Sequence, residues 1–205
     1  MTTNARPLKR VGATYPHVVD ILRRHNHTSG VTIEIGCGGN QYAQFLQGEH
    51  IATDLPAIRY KGIPPTVFCD GRQLPFKEDC ADLVYMVAVL HTVPDANVIL
   101  AECHRVLRPG GTLLVFDYNH ATTRRLNRAR QAAHVWSCRE LRRRIRKEGF
   151  TAKTIWDYRV EPRTTWKRLL ERFKTVRYLR LLAEFSEGWN IVASTKKRRT
   201  RSSRD

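Results

Sequence analysis

Apolar positions along the chain form short continuous runs separated by longer amphipathic stretches, and this alternation sets the first expectations. Residues 31–35, VTIEI, read as a buried strand through Val31, Ile33 and Ile35. "HIATDLP" gives a short strand ending at Asp54, and "PTVFCDGRQLPF" a third ending near Cys69 and Asp70. "ADLVYMVAVLHTV", "TLLVFDY", "TAKTIWDYRV" and "WNIVAST" supply four more. Between them lie helical patterns. Residues 15–27 place Val18, Val19 and Leu22 on one side, and a further helix is expected over about 41–47, with Tyr42, Phe45 and Leu46. "DANVILAECHRVLRPGG" reads as a helix stopped by Pro109-Gly110-Gly111. "SCRELRRRIRKEGF" opens with a capping box, Ser137 to Glu140, and closes at Gly149. Residues 165–186 form a long amphipathic pattern. The tail from residue 196, KKRRTRSSRD, has no apolar residue and is expected to be disordered.

Strands and helices alternating at this spacing predict an α/β fold: a Rossmann-like, doubly wound, mostly parallel seven-stranded sheet. Runs such as 83–90 suit a parallel sheet covered on both faces. The last two strands are separated by a basic helical insertion, which a hairpin would not need.

At 205 residues the chain suffices for one domain with a full core, expected over 1–195. No apolar run approaches the ~18 residues of a membrane span, and the first residues, MTTNARPLKR, lack a signal-peptide core. Five scattered cysteines (37, 69, 80, 103, 138) without a CxxC pattern point to reduced thiols in a cytoplasmic protein, not to zinc or disulfides. The charge changes the picture most. Residues 1–119 hold 11 Lys/Arg and 11 Asp/Glu, whereas residues 120–205 hold 25 and 8, so the whole excess of +17 sits in the second part. That asymmetry suits an anionic partner.

The candidate chemistry gathers at strand ends. Gly36, Gly38 and Gly39 break the chain after the first strand, and a glycine turn lets a ligand approach the backbone, with a following helix offering its N–H groups. Asp54 stands at the end of the second strand, 20 residues after Glu34, where an acid can take ribose hydroxyls. Asp70 ends the third strand, although Asp70-Gly71 also reads as the start of a turn. His91 follows the fourth strand, and Asp117, Tyr118 and His120 follow the fifth.

"EIGCGGN", "TDLP", "CDGRQLPF" and "HRVLRPGGTLLVFD" resemble the motifs of class I S-adenosylmethionine-dependent methyltransferases of the general type-11 kind, across about residues 28–119. The resemblance implies S-adenosyl-L-methionine as cofactor, rather than NAD or FAD. It places Gly36, Cys37, Gly38, Gly39 and Asn40 against the methionine part, Glu34 near its amino group, Asp54 and Leu55 at the ribose side, and Asp70 and Gly71 at the adenine. Asn40 stands where the family's third glycine is usual, and asparagine tolerates left-handed backbone better than most residues.

Methyl transfer from a sulfonium gains most from proximity and alignment, and a hydroxyl acceptor would need a base, for which His91 and His120 are the candidates. The segments leaving the fifth and sixth strands emerge at the cofactor edge. Arg124, Arg125, Arg128 and Arg130, and the 165–186 helix, are therefore expected to face an anionic small-molecule or lipid acceptor, with peripheral contact to a membrane surface. An amphipathic helix packed on the core with a solvated basic face is the plainer reading of 165–186. Three functions follow: a methyltransferase of a small or lipid-like anionic acceptor, an RNA methyltransferase, whose substrate the basic residues would hold through counterion release, and a non-catalytic protein that binds the cofactor.

Overall fold

A computed structural model describes residues 14–56, 62–118, 136–154 and 189–197. Seven strands form one sheet: β1 (Val31–Ile35), β2 (Glu49–Asp54), β3 (Val67–Phe68), β4 (Ala81–Val87), β5 (Leu107–Tyr118), β6 (Phe150–Thr154) and β7 (Trp189–Lys196), in the spatial order β3-β2-β1-β4-β5-β7-β6. The first five run parallel, and β7 runs antiparallel to both β5 and β6. The order reverses at β1, and in such sheets the crevice for a ligand opens outside the carboxyl ends of the strands at that point.

Alternation along the strands divides the interior into two layers. Ile33, Ile35, Val84, Met86, Leu113 and Val115 face one way. Onto them pack Ile99, Leu100 and Cys103 of α2 (Ala96–Val106) and Leu141 and Ile145 of α3 (Cys138–Lys147). Leu83, Tyr85, Leu114 and Phe116 face the other way, beneath Val18, Val19, Ile21 and Leu22 of α1 (Pro16–His25). Each such side chain contributes about 1.5–3 kcal/mol when fully buried. The two helices α2 and α3 are both capped by side chains, the second at its predicted capping box. Asp95 accepts from the Asn97 N–H, and the Ser137 hydroxyl accepts from the Glu140 N–H.

Three expectations need revision. No helix forms over 41–47; only a 3₁₀ turn, Ala43–Phe45, lies there. The cause is long-range. The Asn26 amide clamps Gln47 both ways, donating to its carbonyl at 2.9 Å and accepting from its N–H at 2.6 Å. Gly48 then turns into β2 with a φ of +79°, so the crossover closes before a helix can develop. Next, Pro109-Gly110-Gly111 does not separate helix from strand. β5 begins at Leu107, pairs with Ala81, and absorbs these residues in an irregularity before regular pairing resumes at Thr112. Finally, β7 runs one residue beyond the expected start of the tail. Lys196 is buried, and its ammonium donates to Asp79 Oδ1 and to the Leu107 carbonyl, each at 2.6 Å. The helix expected over 165–186, the arginines at 124–130 and the tail beyond residue 197 lie outside the described residues. Among the described residues no helix is long and apolar enough to cross a membrane.

Candidate active site

The glycine turn is built from the end of β1 and held by the end of β2. The Gly36 and Cys37 N–H groups both donate to the Thr53 carbonyl, at 2.9 and 3.0 Å. Gly36 has a φ of +70°, and a Cβ there would stand 2.5 Å from Val89 Cγ2, so the turn packs directly against the segment leaving β4. Gly38 has a φ of +54°, and a Cβ on it would meet nothing within 4 Å; its face is open space. Asn40 adopts φ +52°, the left-handed conformation that its side chain tolerates, and its N–H closes the turn onto the Cys37 carbonyl at 2.8 Å. Among the described residues its buried Oδ1 finds no hydrogen-bond partner. Cys37 is enclosed, and burial pushes its thiol up to about 12, so it stays protonated and plays the part of a small apolar residue.

Asp54 ties this turn to the strand. Its Oδ2 accepts from the Gly38 N–H and its Oδ1 from the Leu55 N–H, both at 2.8 Å. Each oxygen keeps lone-pair capacity for a further donor. Leu55 beside it is exposed. Asp70 follows β3, and its carboxylate is engaged within its own turn. It accepts from the Arg72 N–H at 2.9 Å and from the Arg72 guanidinium at 2.6–3.1 Å, and Arg72 holds it below the usual carboxylate range. Gly71 is required by packing, because a Cβ there would stand 2.8 Å from Ile35 Cγ2. Glu34 is not in the open crevice. It lies buried under the turn, 3.4 Å from His50 Nε2 and facing Tyr85, and burial raises its carboxyl. His50 Nε2 and the Tyr85 hydroxyl are 3.1 Å apart.

His91 and Asp117 meet across the ends of β4 and β5. Asp117, fully buried, accepts from the His91 N–H through Oδ2 at 2.9 Å and from the Tyr118 N–H through Oδ1 at 2.8 Å. The same Oδ1 stands 2.7 Å from His91 Nδ1. The Tyr118 ring lies 4.9 Å from the imidazole, and burial with Tyr15 nearby pushes its phenol up, so it stays protonated. The sequence marks His91 and Asp117 separately as strand-end residues. Their pairing is visible only once β4 and β5 are known to be neighbours. The second candidate base, His120, lies outside the described residues. No cluster of His, Cys, Asp or Glu suited to a metal ion occurs among the described residues.

A reversal point in a parallel sheet, a glycine turn tied to an acid at the end of β2, and further acids at the ends of β3 and β5 lie along the carboxyl edge of a Rossmann-like sheet, where such folds take their ligands. Residues 33–115 match the family described as "Methyltransferase domain", and the sheet has the class I methyltransferase fold. The chain is 27% identical to the 27-O-demethylrifamycin SV methyltransferase of Amycolatopsis mediterranei over 119 residues, 54% of this chain and 44% of that protein. It spans less than half the length of the curated relatives it matches. Among solved structures, the YcgJ protein of Bacillus subtilis shares the fold with a TM-score of 0.64 at 14% identity, covering 89% of this chain and 99% of that one. Phosphoethanolamine N-methyltransferase 2 of Haemonchus contortus, solved with phosphomonomethylethanolamine and S-adenosylhomocysteine, matches with a TM-score of 0.62 at 14% identity, over 90% of this chain and 53% of that one.

Proposed function

We propose that the protein binds S-adenosyl-L-methionine at the carboxyl edge of β1, β2 and β3 and transfers its methyl group to a small-molecule acceptor. The observation that carries this reading is Asp54, whose carboxylate fixes the Gly38 N–H beside open space while keeping capacity for two ribose hydroxyls. Asn40 Oδ1, without a partner among the described residues, adds an acceptor in the same turn, and exposed Leu55 offers an apolar surface at the strand end. The helix N-terminus often invoked for such loops is absent here, so the turn's own backbone and Asp54 take over its part. A sulfonium carries no pyrophosphate and does not need a helix dipole to neutralise it. Holding cofactor and acceptor in line supplies most of the rate, since the methyl group is already activated.

The finer reading is an anionic acceptor, either a small molecule or a lipid headgroup. Its support is electrostatic: residues 120–205 carry the whole net charge of +17. An RNA acceptor is the other class that this charge suits.

Calorimetry with S-adenosyl-L-methionine tests the cofactor site. Asp54→Ala should weaken binding by about 1.5–3 kcal/mol, the range for losing hydrogen bonds to a charged group. A folded variant with unchanged affinity removes Asp54 from the site and the reading with it.

A further inference from the structure

We propose that the exposed face of α3 is a docking surface for the phosphate backbone of a nucleic-acid strand, separate from the glycine turn. The inference goes beyond the methyl-transfer reading and does not depend on it. Six of the ten residues of α3 are Lys or Arg, and one is acidic. Arg139, Arg143, Arg146 and Lys147 are exposed. They stand at i, i+4, i+7 and i+8, so they form one stripe, opposite the buried Leu141 and Ile145. The single acid, Glu140, is turned to Arg144, 3.6 Å away. The side chains of Arg139, Arg143 and Lys147 make no ion pair or hydrogen bond among the described residues.

Helix stability does not call for this pattern. Basic residues in the last turn suit the negative end of a helix, but Arg139 lies in the first turn, at the positive end. Three like-charge pairs at i,i+4 (Arg139–Arg143, Arg142–Arg146 and Arg143–Lys147) stand against one attractive pair, Glu140–Arg144. A local rule broken with no compensating contact inside the fold points to a contact outside it. The stripe is also held in place. Arg144 turns inward, lies 4.2 Å from the centroid of the Trp136 ring and donates to Asn97 Oδ1 of α2 at 3.1 Å. Arg146 donates to the Ala152 carbonyl of β6 at 3.1 Å. A row of charges on a helix anchored to both neighbours loses little freedom on binding.

The chemistry of the stripe selects the partner. Guanidinium forks match phosphate oxygens. Charges four residues apart on a helix are about 6 Å apart along its axis, a row that a linear polyanion can follow. A membrane surface fits less well. An interfacial helix buries its apolar face in lipid, whereas Leu141 and Ile145 are already spent on the sheet and no apolar residue of α3 is exposed.

The purified full chain tests this with a labelled single strand of mixed sequence, as RNA and as DNA, and with phosphatidylglycerol vesicles. The wild type should bind the strand in one or both forms and prefer it to the vesicles. The triple variant Arg139→Gln, Arg143→Gln, Lys147→Gln should lose about tenfold or more in strand affinity. Its slope of log affinity against log salt should also fall by about 2, since each phosphate contact on a single strand contributes about 0.7. Its urea midpoint should equal or exceed that of the wild type, because like-charge pairs are removed. Arg23→Gln, Arg24→Gln, Lys77→Gln takes the same charge from exposed sites outside α3 and should bind the strand nearly as the wild type does. In the wild type the bound strand should shield Lys147 from acetylation, a readout that needs no variant. No strand binding by the wild type, undiminished affinity in the α3 variant, equal loss in the two triple variants, or Lys147 acetylated as readily with the strand bound would each overturn the proposal. Vesicle binding that exceeds strand binding, or is lost in its place, would overturn it in favour of a lipid surface.

Discussion

Gly36 carries two constraints that a single substitution separates. Its φ of +70° costs an L-residue about 1–2 kcal/mol, and an added methyl group would also stand 2.5 Å from Val89 Cγ2. Gly36→Ala should therefore destabilise the fold by more than the backbone cost alone. Adding Val89→Ala should return the steric share and leave the backbone share, a non-additivity expected of residues in contact. Urea unfolding of the two single variants and the double variant measures both shares. Strictly additive effects would show that Val89 is not what fills the space above the turn. The same scale explains why the paired side chains of the site were only half legible in the sequence. Asp54 could be placed from its position at a strand end, but its bond to Gly38 links residues 16 apart, and His91 and Asp117 are 26 apart. Spacing shows that such residues share an edge, whereas only the sheet shows which of them touch.

At the level of elements, legibility followed how local the determining contacts are. β1 is expected and found at residues 31–35, and α3 begins where its Ser137–Glu140 signature places it. Its cap is a bond of 3.1 Å from the Glu140 N–H to the Ser137 hydroxyl. Ser137→Ala should cost about 0.5–2 kcal/mol, read as faster hydrogen exchange in the first turn of α3; unchanged exchange would mean that packing of Leu141 and Ile145 alone fixes the helix start. The segment 41–47 went the other way. Tyr42, Phe45 and Leu46 have helical spacing and do cover the sheet, with Tyr42 fully buried. They cover it from an irregular loop, because the Asn26–Gln47 clamp and Gly48 end the crossover early. That clamp is invisible to periodicity. The bulge at Pro109–Gly111 is similar: its residues signal a break, and pairing with Ala81 carries the strand through it.

For the whole molecule, two electrostatic features have opposite reach. Glu34 is a local burden with a global reading. Burial, opposed by His50 and Tyr85 and reinforced by Asp54, raises its carboxyl above the ordinary 4.5. Across the window just above that value the folded protein keeps a proton that the unfolded chain has released, so stability falls as pH rises through it. Glu34→Gln should flatten this slope and be more stable than the wild type at neutral pH, measured by urea unfolding at several pH values. An unchanged slope would show that Glu34 stays ionised throughout. The charge excess of residues 120–205 acts at longer range. Reversing Arg124, Arg125 and Arg128 to Glu should leave cofactor affinity nearly intact while lowering binding to anionic vesicles, and added salt should weaken the wild type's binding in the same way. Vesicle binding equal to wild type would leave those arginines no role toward anionic lipid. The position of β7 carries a different consequence, for the chain as it is made. β7 lies between β5 and β6, and it is the one strand to which β6 pairs among the described residues. On the ribosome, β5 therefore waits with an unpaired edge until residues 189–196 emerge, and β6 has no sheet to join before then. The slot is filled by insertion rather than by addition at the rim, and contacts so distant in sequence form slowly. A nascent chain stalled before residue 189 would present that edge to its neighbours, which is where this protein is most exposed to aggregation during synthesis.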